Sequence, residues 1–188
     1  KAEKIYKLSV VNNENNYDGM YYLSQCQLAN GDFMKGWKNF EYRWLANEFK
    51  SKKLKLNLPK FKLNAEEKNL LLWSEQGIGD QILFLRFLKD LEPYVNNLFI
   101  NIDARLHKII ERIYPKINFL NENDLSKKLN INCQMPIGDL GSFFVKDNKD
   151  LIECNNSYIT SDHDLKIELK KKLNIKNKFI CGLSWISK

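Results

Sequence analysis

No stretch of this chain reaches the roughly 20 consecutive apolar residues of a membrane span, so no transmembrane helix is expected. Residues 1–20 are polar and rich in Asn and Lys, which argues against a secretory leader at this end. None of the four cysteines, Cys26, Cys133, Cys154 and Cys181, is spaced Cys-x-x-Cys. The two histidines, His107 and His163, have no ligand-like neighbours in sequence, so no metal is assigned. His107 stands beside Arg105 and Lys108 and is expected at the surface. Cys26 and Cys181 fall in apolar patterns, which predicts buried, reduced thiols and a cytoplasmic setting. Also missing is any Ser/His/Asp-type pairing of nucleophile and base. The full Gly-x-Gly-x-x-Gly of a dinucleotide site is absent too, because Ile82 stands where the last glycine would fall.

What is present suits a globular protein. Apolar residues make up 44% of the 188, enough for a real core. The net charge of +7 is unevenly spread. Much of the excess lies in Lys50, Lys52, Lys53, Lys55, Lys60 and Lys62. A nucleic-acid surface is one reading of that run. A solvated linker is the better one, because no Arg interleaves the lysines and Phe61 is the single aromatic residue among them. The chain opens with Lys1 rather than Met, which leads us to expect a fragment of a longer protein.

Along the chain, residues 1–16 are a weakly amphipathic start that ends in an Asn-rich break. Residues 17–30 read as a helix. Asn30-Gly31-Asp32 stops it and supplies a cap for the next helix. Residues 33–47 form that helix, with Phe33, Trp37, Phe40 and Trp44 on one face. A single hairpin cannot bury its own apolar face, so either further repeats precede it or it docks on the domain C-terminal to it. Residues 49–68 read as a basic connector. Strands and helices then alternate: strands at 69–74, 97–102, 117–120 and 131–137, helices at 79–91, 104–114 and 164–173, a short helix at 140–145 and a last strand at 178–185. This pattern predicts an α/β fold built on a parallel, doubly wound sheet with right-handed crossovers.

The most informative stretch is Trp73-Ser74-Glu75-Gln76-Gly77-Ile78-Gly79-Asp80-Gln81-Ile82-Leu83-Phe84-Leu85-Arg86. An apolar run stops at a polar loop with two glycines, and an amphipathic helix comes next. Strand, glycine loop and helix aim backbone N–H groups at a ligand. Asp80 at the helix start disfavours an anionic ligand there and suits a hydroxyl. Asp80 also fits a helix cap. Gly77 and Gly79 permit a tight turn and close approach of a substrate, or simply an ordinary strand-to-helix turn. Glu75 and Gln76 either line a binding site or hold the loop. Arg86 either meets an anionic substrate group or pairs internally with Glu75 or Asp80.

Three blocks resemble tetratricopeptide-repeat proteins that carry a glycosyltransferase-like domain related to the heptosyltransferase family, glycosyltransferase family 9. The first is Gly31-Asp32-Phe33, Gly36-Trp37 and Glu41-Tyr42-Arg43-Trp44. The second runs from Leu70 to Phe87 through the glycine loop. The third is Pro136-Ile137-Gly138-Asp139-Leu140, Tyr158-Ile159 and Cys181-Gly182-Leu183-Ser184-Trp185. The resemblance implies a Rossmann-like, parallel-sheet α/β lobe, the N-terminal half of a GT-B glycosyltransferase, preceded by an α-helical TPR-like hairpin. The expected divisions are 1–48 for the hairpin, 49–68 for the connector, 69–178 for the lobe and 179–188 for the start of a truncated C-terminal lobe.

The resemblance further implies sugar transfer from a nucleotide-sugar donor to a glycan or protein acceptor, with Asp80 placed to deprotonate the acceptor hydroxyl. No cofactor beyond the donor is implied. Glu75, Gln76, Gly77, Gly79 and Arg86 would stand on the acceptor side. Ser184 and Trp185 would stand where the cleft closes, with Trp185 as hinge packing or as a platform for ligand. Most of the donor site would be missing, so the fragment is expected to be inactive. The competing expectation is a non-catalytic scaffold that binds a protein partner through the hairpin. Nucleic-acid binding ranks third.

Overall fold

The computed structural model describes residues 1–64, 68–121, 123–126, 129–153, 157–173 and 181–182. Residues 1–158 form one compact unit and residues 159–188 a second.

Three helices open the first unit: α1 (Ala2–Asn12), α2 (Tyr17–Ala29) and α3 (Phe33–Phe40). Asn16 caps α2, its Oδ1 accepting the Gly19 N–H at 2.8 Å. The helix closes as the sequence predicts. Gly31 takes φ +80°, and the N–H groups of Gly31 and Asp32 donate to Leu28 O and Gln27 O at 3.1 and 2.9 Å. That pair of bonds needs a residue free to enter the left-handed region. Asp32 precedes α3, but its carboxylate pairs with Lys35 at 2.9 Å instead of capping. The second hairpin helix is shorter than expected. It gives way at Glu41 to a tight 3-10 turn through Trp44, so Trp44 leaves the helical face and Arg43 turns inward to 1% exposure.

C-terminal to the hairpin lies a four-stranded, all-parallel sheet, in the order β3-β2-β1-β4. Its strands are β1 (Asn69–Trp73), β2 (Asn97–Asn101), β3 (Asn118–Phe119) and β4 (Cys133–Pro136). Every residue of β1 is buried, as a central parallel strand covered on both faces requires. Leu70 and Leu72 point into the main core. There they meet Phe84 and Leu85 of α4 (Ile78–Leu85), Leu88 and Leu91 of α5 (Leu88–Leu91) and Ile110 of α6 (His107–Ile113). The single long helix expected over 79–91 is thus two. The break at Arg86–Phe87 turns Phe87 inward, where its ring stacks on Phe144 of α7 (Leu140–Phe144) at 6.0 Å. A further helix, α8 (Asn148–Glu153), was not legible in the sequence.

The opposite face departs from the expected doubly wound arrangement. Among the described residues, Leu71 and Trp73 are covered by Trp44, by Leu54 and Leu56 of the connector and by Leu125, Leu129 and Ile131 before β4, with short 3-10 turns in place of α-helices. The connector also guards the open edge of β4. Gln134 N–H donates to Pro59 O at 2.9 Å and Phe61 N–H to Gln134 O at 3.0 Å. Residues 54–61 are therefore structural, although their lysines remain at the surface, as expected of a solvated segment.

The hairpin docks on the sheet domain. Phe33 joins the main core, and the Trp37 indole N–H donates to Val145 O at 2.8 Å. Other placements differ from expectation. Among the described cysteines Cys133 is buried, Cys26 is half-buried and Cys181 is exposed, which differs from the buried thiols expected at Cys26 and Cys181. His107 is half-buried, its ring stacked on Phe119 at 4.4 Å. In the second unit, α9 (His163–Lys172) is capped by Asp162, whose Oδ1 accepts the Leu165 N–H at 3.0 Å. The strand expected at 178–185, with Ser184 and Trp185, lies outside the described residues apart from Cys181 and Gly182. Among the described residues no helix is long and apolar enough to cross a membrane.

Candidate functional site at the end of the central strand

The order β3-β2-β1-β4 reverses direction between β1 and β4. In open α/β sheets the crevice beyond the carboxyl ends of the strands at such a reversal is where ligands bind. Trp73 and Pro136, the last residues of β1 and β4, are register partners there. Two loops leave from this point, Ser74–Gly77 and Ile137–Asp139.

Between them stands Arg43, brought from the hairpin. Its Nε and Nη2 donate to the two oxygens of Glu75, each at 2.9 Å. Nη2 also donates to Asp139 Oδ1 at 2.7 Å, and Nη1 to Phe40 O at 3.1 Å. The rings of Phe40 and Trp44 lie 4.3 and 4.6 Å from the guanidinium carbon. A planar, fork-shaped cation suits this combination of a bidentate carboxylate and flanking ring faces. Asp139 Oδ2 takes a second cation, Lys60, at 3.0 Å. Burial disfavours the charge on Arg43, but Glu75 and Asp139 outweigh it and hold the guanidinium above its ordinary value. Burial pushes the Glu75 carboxyl up, against the pull of Arg43.

This hub decides between the two roles open to Glu75. The side chain is buried and holds the loop, so it is not available to a substrate. Its carboxylate is also taken by Arg43, which removes it as the expected partner of Arg86. Arg86 is half-buried, with its guanidinium carbon 5.5 Å from the Phe87 ring centroid.

The glycines do not have the expected part in the turn. The residue in the left-handed region is Gln76, at φ +61°, a conformation uncommon for a side chain of that size. The Gln76 N–H donates to Ser51 Oγ at 2.7 Å, so residues after the hairpin clamp the strained point. Gly77 is extended, at φ −79° and ψ 171°. Gly79 lies inside the first turn of α4, with nothing within 4 Å of the position a Cβ would take. Neither backbone demands glycine. What the glycines leave is open space before the helix.

Asp80 faces that space, half-buried. The helix begins at Ile78, one residue earlier than expected, and Gly77 is its N-cap. Asp80 therefore stands at the third helical position and reaches back, Oδ2 accepting the Gly77 N–H at 3.2 Å. This is half of a capping box, since glycine has no side chain to return the bond. No other hydrogen bond to Asp80 occurs among the described residues. One carboxylate oxygen is thus held, and the other has no hydrogen-bond partner among the described residues.

No family model matches the chain, and neither a curated protein nor a solved structure matches it. Arg43, Asp139 and Lys60 were not among the residues the sequence put forward as a site. The signal in the sequence was weak: an arginine framed by Phe40 and Trp44, and an aspartate directly after Pro-Ile-Gly. Both stretches carry the family resemblance, but neither shows a partner in sequence.

Proposed function

We propose that this chain supplies the acceptor side of a sugar-transfer enzyme. In this reading the sheet and its helices are a Rossmann-like lobe of the GT-B type, and the preceding helices are a TPR-like hairpin. Asp80 binds and orients the acceptor hydroxyl, and draws off its proton as the hydroxyl attacks the donor sugar. The observation that carries the reading is the Gly77–Asp80 turn. It lies at the carboxyl end of the central strand, with one Asp80 oxygen held by Gly77, the other open, and no neighbour in front of Gly79. A carboxylate at this place suits a hydroxyl or an amine and repels a phosphate. Gln76 supports the same place, because backbone strain tends to collect at working loops. The donor nucleotide-sugar would be met by groups beyond those described.

The test is a chemical-shift titration of the labelled chain with a panel of neutral mono- and disaccharides, repeated on Asp80→Asn. The expected result is a saturating shift of the Gln76–Asp80 amides with at least one sugar, weakened about tenfold or more by a substitution worth roughly 1.5–3 kcal/mol as a charged hydrogen bond. Shifts elsewhere only, or equal affinity in the variant, would remove Asp80 from the role. One observation favours the scaffold reading. Ile5, Leu8 and Val11 expose an apolar row on α1, at 57, 55 and 76%. Binding of a protein partner there would be indifferent to Asp80→Asn.

A further inference from the structure

The Arg43 hub fills the crevice at the strand reversal from inside, and this leaves a second opening beside it. A cleft of about 240 Å³ lies on the Trp73 face of the sheet, at the carboxyl ends of β1 and β4. Trp44 and Trp73 wall it, their ring centroids 5.5 Å apart. Lys53 and Lys60 reach it from the connector, and Glu41 and Asp139 line it beside Lys60. The volume is below the roughly 300–1,000 Å³ of sites for drug-sized ligands, so the occupant is compact.

The charges around the cleft are unequally committed. Asp139 is buried, fixed by Arg43 at 2.7 Å and Lys60 at 3.0 Å. Glu41 is 68% exposed and touches Lys60 at only 3.4 Å. Lys53 has no ion pair or hydrogen bond among the described residues. The Lys53 ammonium is thus without a counter-ion, whereas Lys60 is held by buried Asp139, and only its second, looser contact, to exposed Glu41, can swing into solvent. Two point-charge donors suit the oxygens of a phosphate, which does not need the planar fork that arginine offers a carboxylate. Trp73 is buried, so half-buried Trp44 is the aromatic side chain that meets the apolar face of a small ring carried by that phosphate.

We propose that this cleft binds a phosphate monoester with a body about the size of a hexose, Lys53 and Lys60 taking the phosphate in place of Glu41. Glu41 is then an internal stand-in for the ligand's charge. The site is distinct from the Gly77–Asp80 turn, where the carboxylate repels anions, and it does not depend on the role proposed for Asp80.

Isothermal titration of the whole chain with inorganic phosphate, a hexose monophosphate and the unphosphorylated hexose tests this, at matched ionic strength. The expected order is hexose monophosphate tighter than phosphate, with the bare hexose silent at this site. Lys53→Glu should weaken the monophosphate about tenfold or more, since an attraction of ångström range becomes a repulsion. Glu41→Gln should tighten it several-fold, because it removes the looser of the two carboxylates that compete for Lys60. Both side chains are exposed, so neither change threatens the fold, and a thermal melt verifies that. Opposite responses in the two variants would be hard to obtain from general surface charge alone. The proposal fails if no phosphate compound binds, if Lys53→Glu binds as the native chain does, if Glu41→Gln does not tighten binding, or if the ring adds nothing to inorganic phosphate.

Discussion

Gly79 and Gly141 carry the same side chain under opposite demands. A Cβ on Gly141 would stand 2.3 Å from the ring of Trp37, inside the seam where hairpin and sheet meet. A Cβ on Gly79 would touch nothing, and its φ is not in the left-handed region. Gly79→Ala should therefore stabilise the fold by about 0.4–1 kcal/mol, through the unfolded chain alone, whereas Gly141→Ala should cost about 1–3 kcal/mol by overpacking. Urea denaturation of the two variants checks both signs. If Gly79 is kept clear for a sugar, the stabilised variant should also lose the sugar-dependent shifts of the loop. Stability gained with binding unchanged would mean that the open space serves no ligand.

At the scale of elements, the strands were the legible part. Asn69–Trp73 and Asn97–Asn101 carry short apolar runs bounded by polar residues, and the fully buried first of them leaves little other pattern. The Asn30-Gly31 stop was legible because one residue type answers one backbone conformation. The break in the helix after Leu85 was not, because no Gly or Pro marks it; the pull is the burial of Phe87 against a ring 57 residues on. Arg43 was illegible for the same reason, its carboxylate partners lying 32 and 96 residues away in sequence. The coil covering of the second sheet face was hidden by the lysines around Leu54 and Leu56, which read as a solvated linker.

Long-range ties of this kind leave a signature in pH. Tyr158, the last residue of the first unit, ties that segment to α4, its hydroxyl donating to Ile82 O. Burial, with Tyr114 adding to it, pushes the phenol up to about 12. An unfolded tyrosine titrates near 10. The folded state thus keeps a proton that the unfolded state has released, so this contribution is intact below pH about 10 and is lost as pH rises towards 12. Stability measured across that window should fall less steeply in Tyr158→Phe than in the native chain. Parallel profiles would contradict the burial of the phenol.

At the scale of the whole molecule, one cation from the hairpin reaches both loops at the strand reversal: Arg43 is the cation paired with Glu75 and shares Asp139 with Lys60. Glu75 could not stay buried and charged without it, and the loop that leads to Asp80 is held through Glu75. The most direct measurement is equilibrium denaturation of Arg43→Met, followed by tryptophan fluorescence and far-ultraviolet circular dichroism together. Methionine fills much of the volume but leaves Glu75 without a cation and Asp139 with Lys60 alone. The account predicts a loss of about 3–5 kcal/mol, the cost of breaking a buried pair from one side, with both signals moving in one transition. A loss below about 1 kcal/mol, in the range of surface ion pairs, or a hairpin signal that melts apart from the sheet, would contradict it.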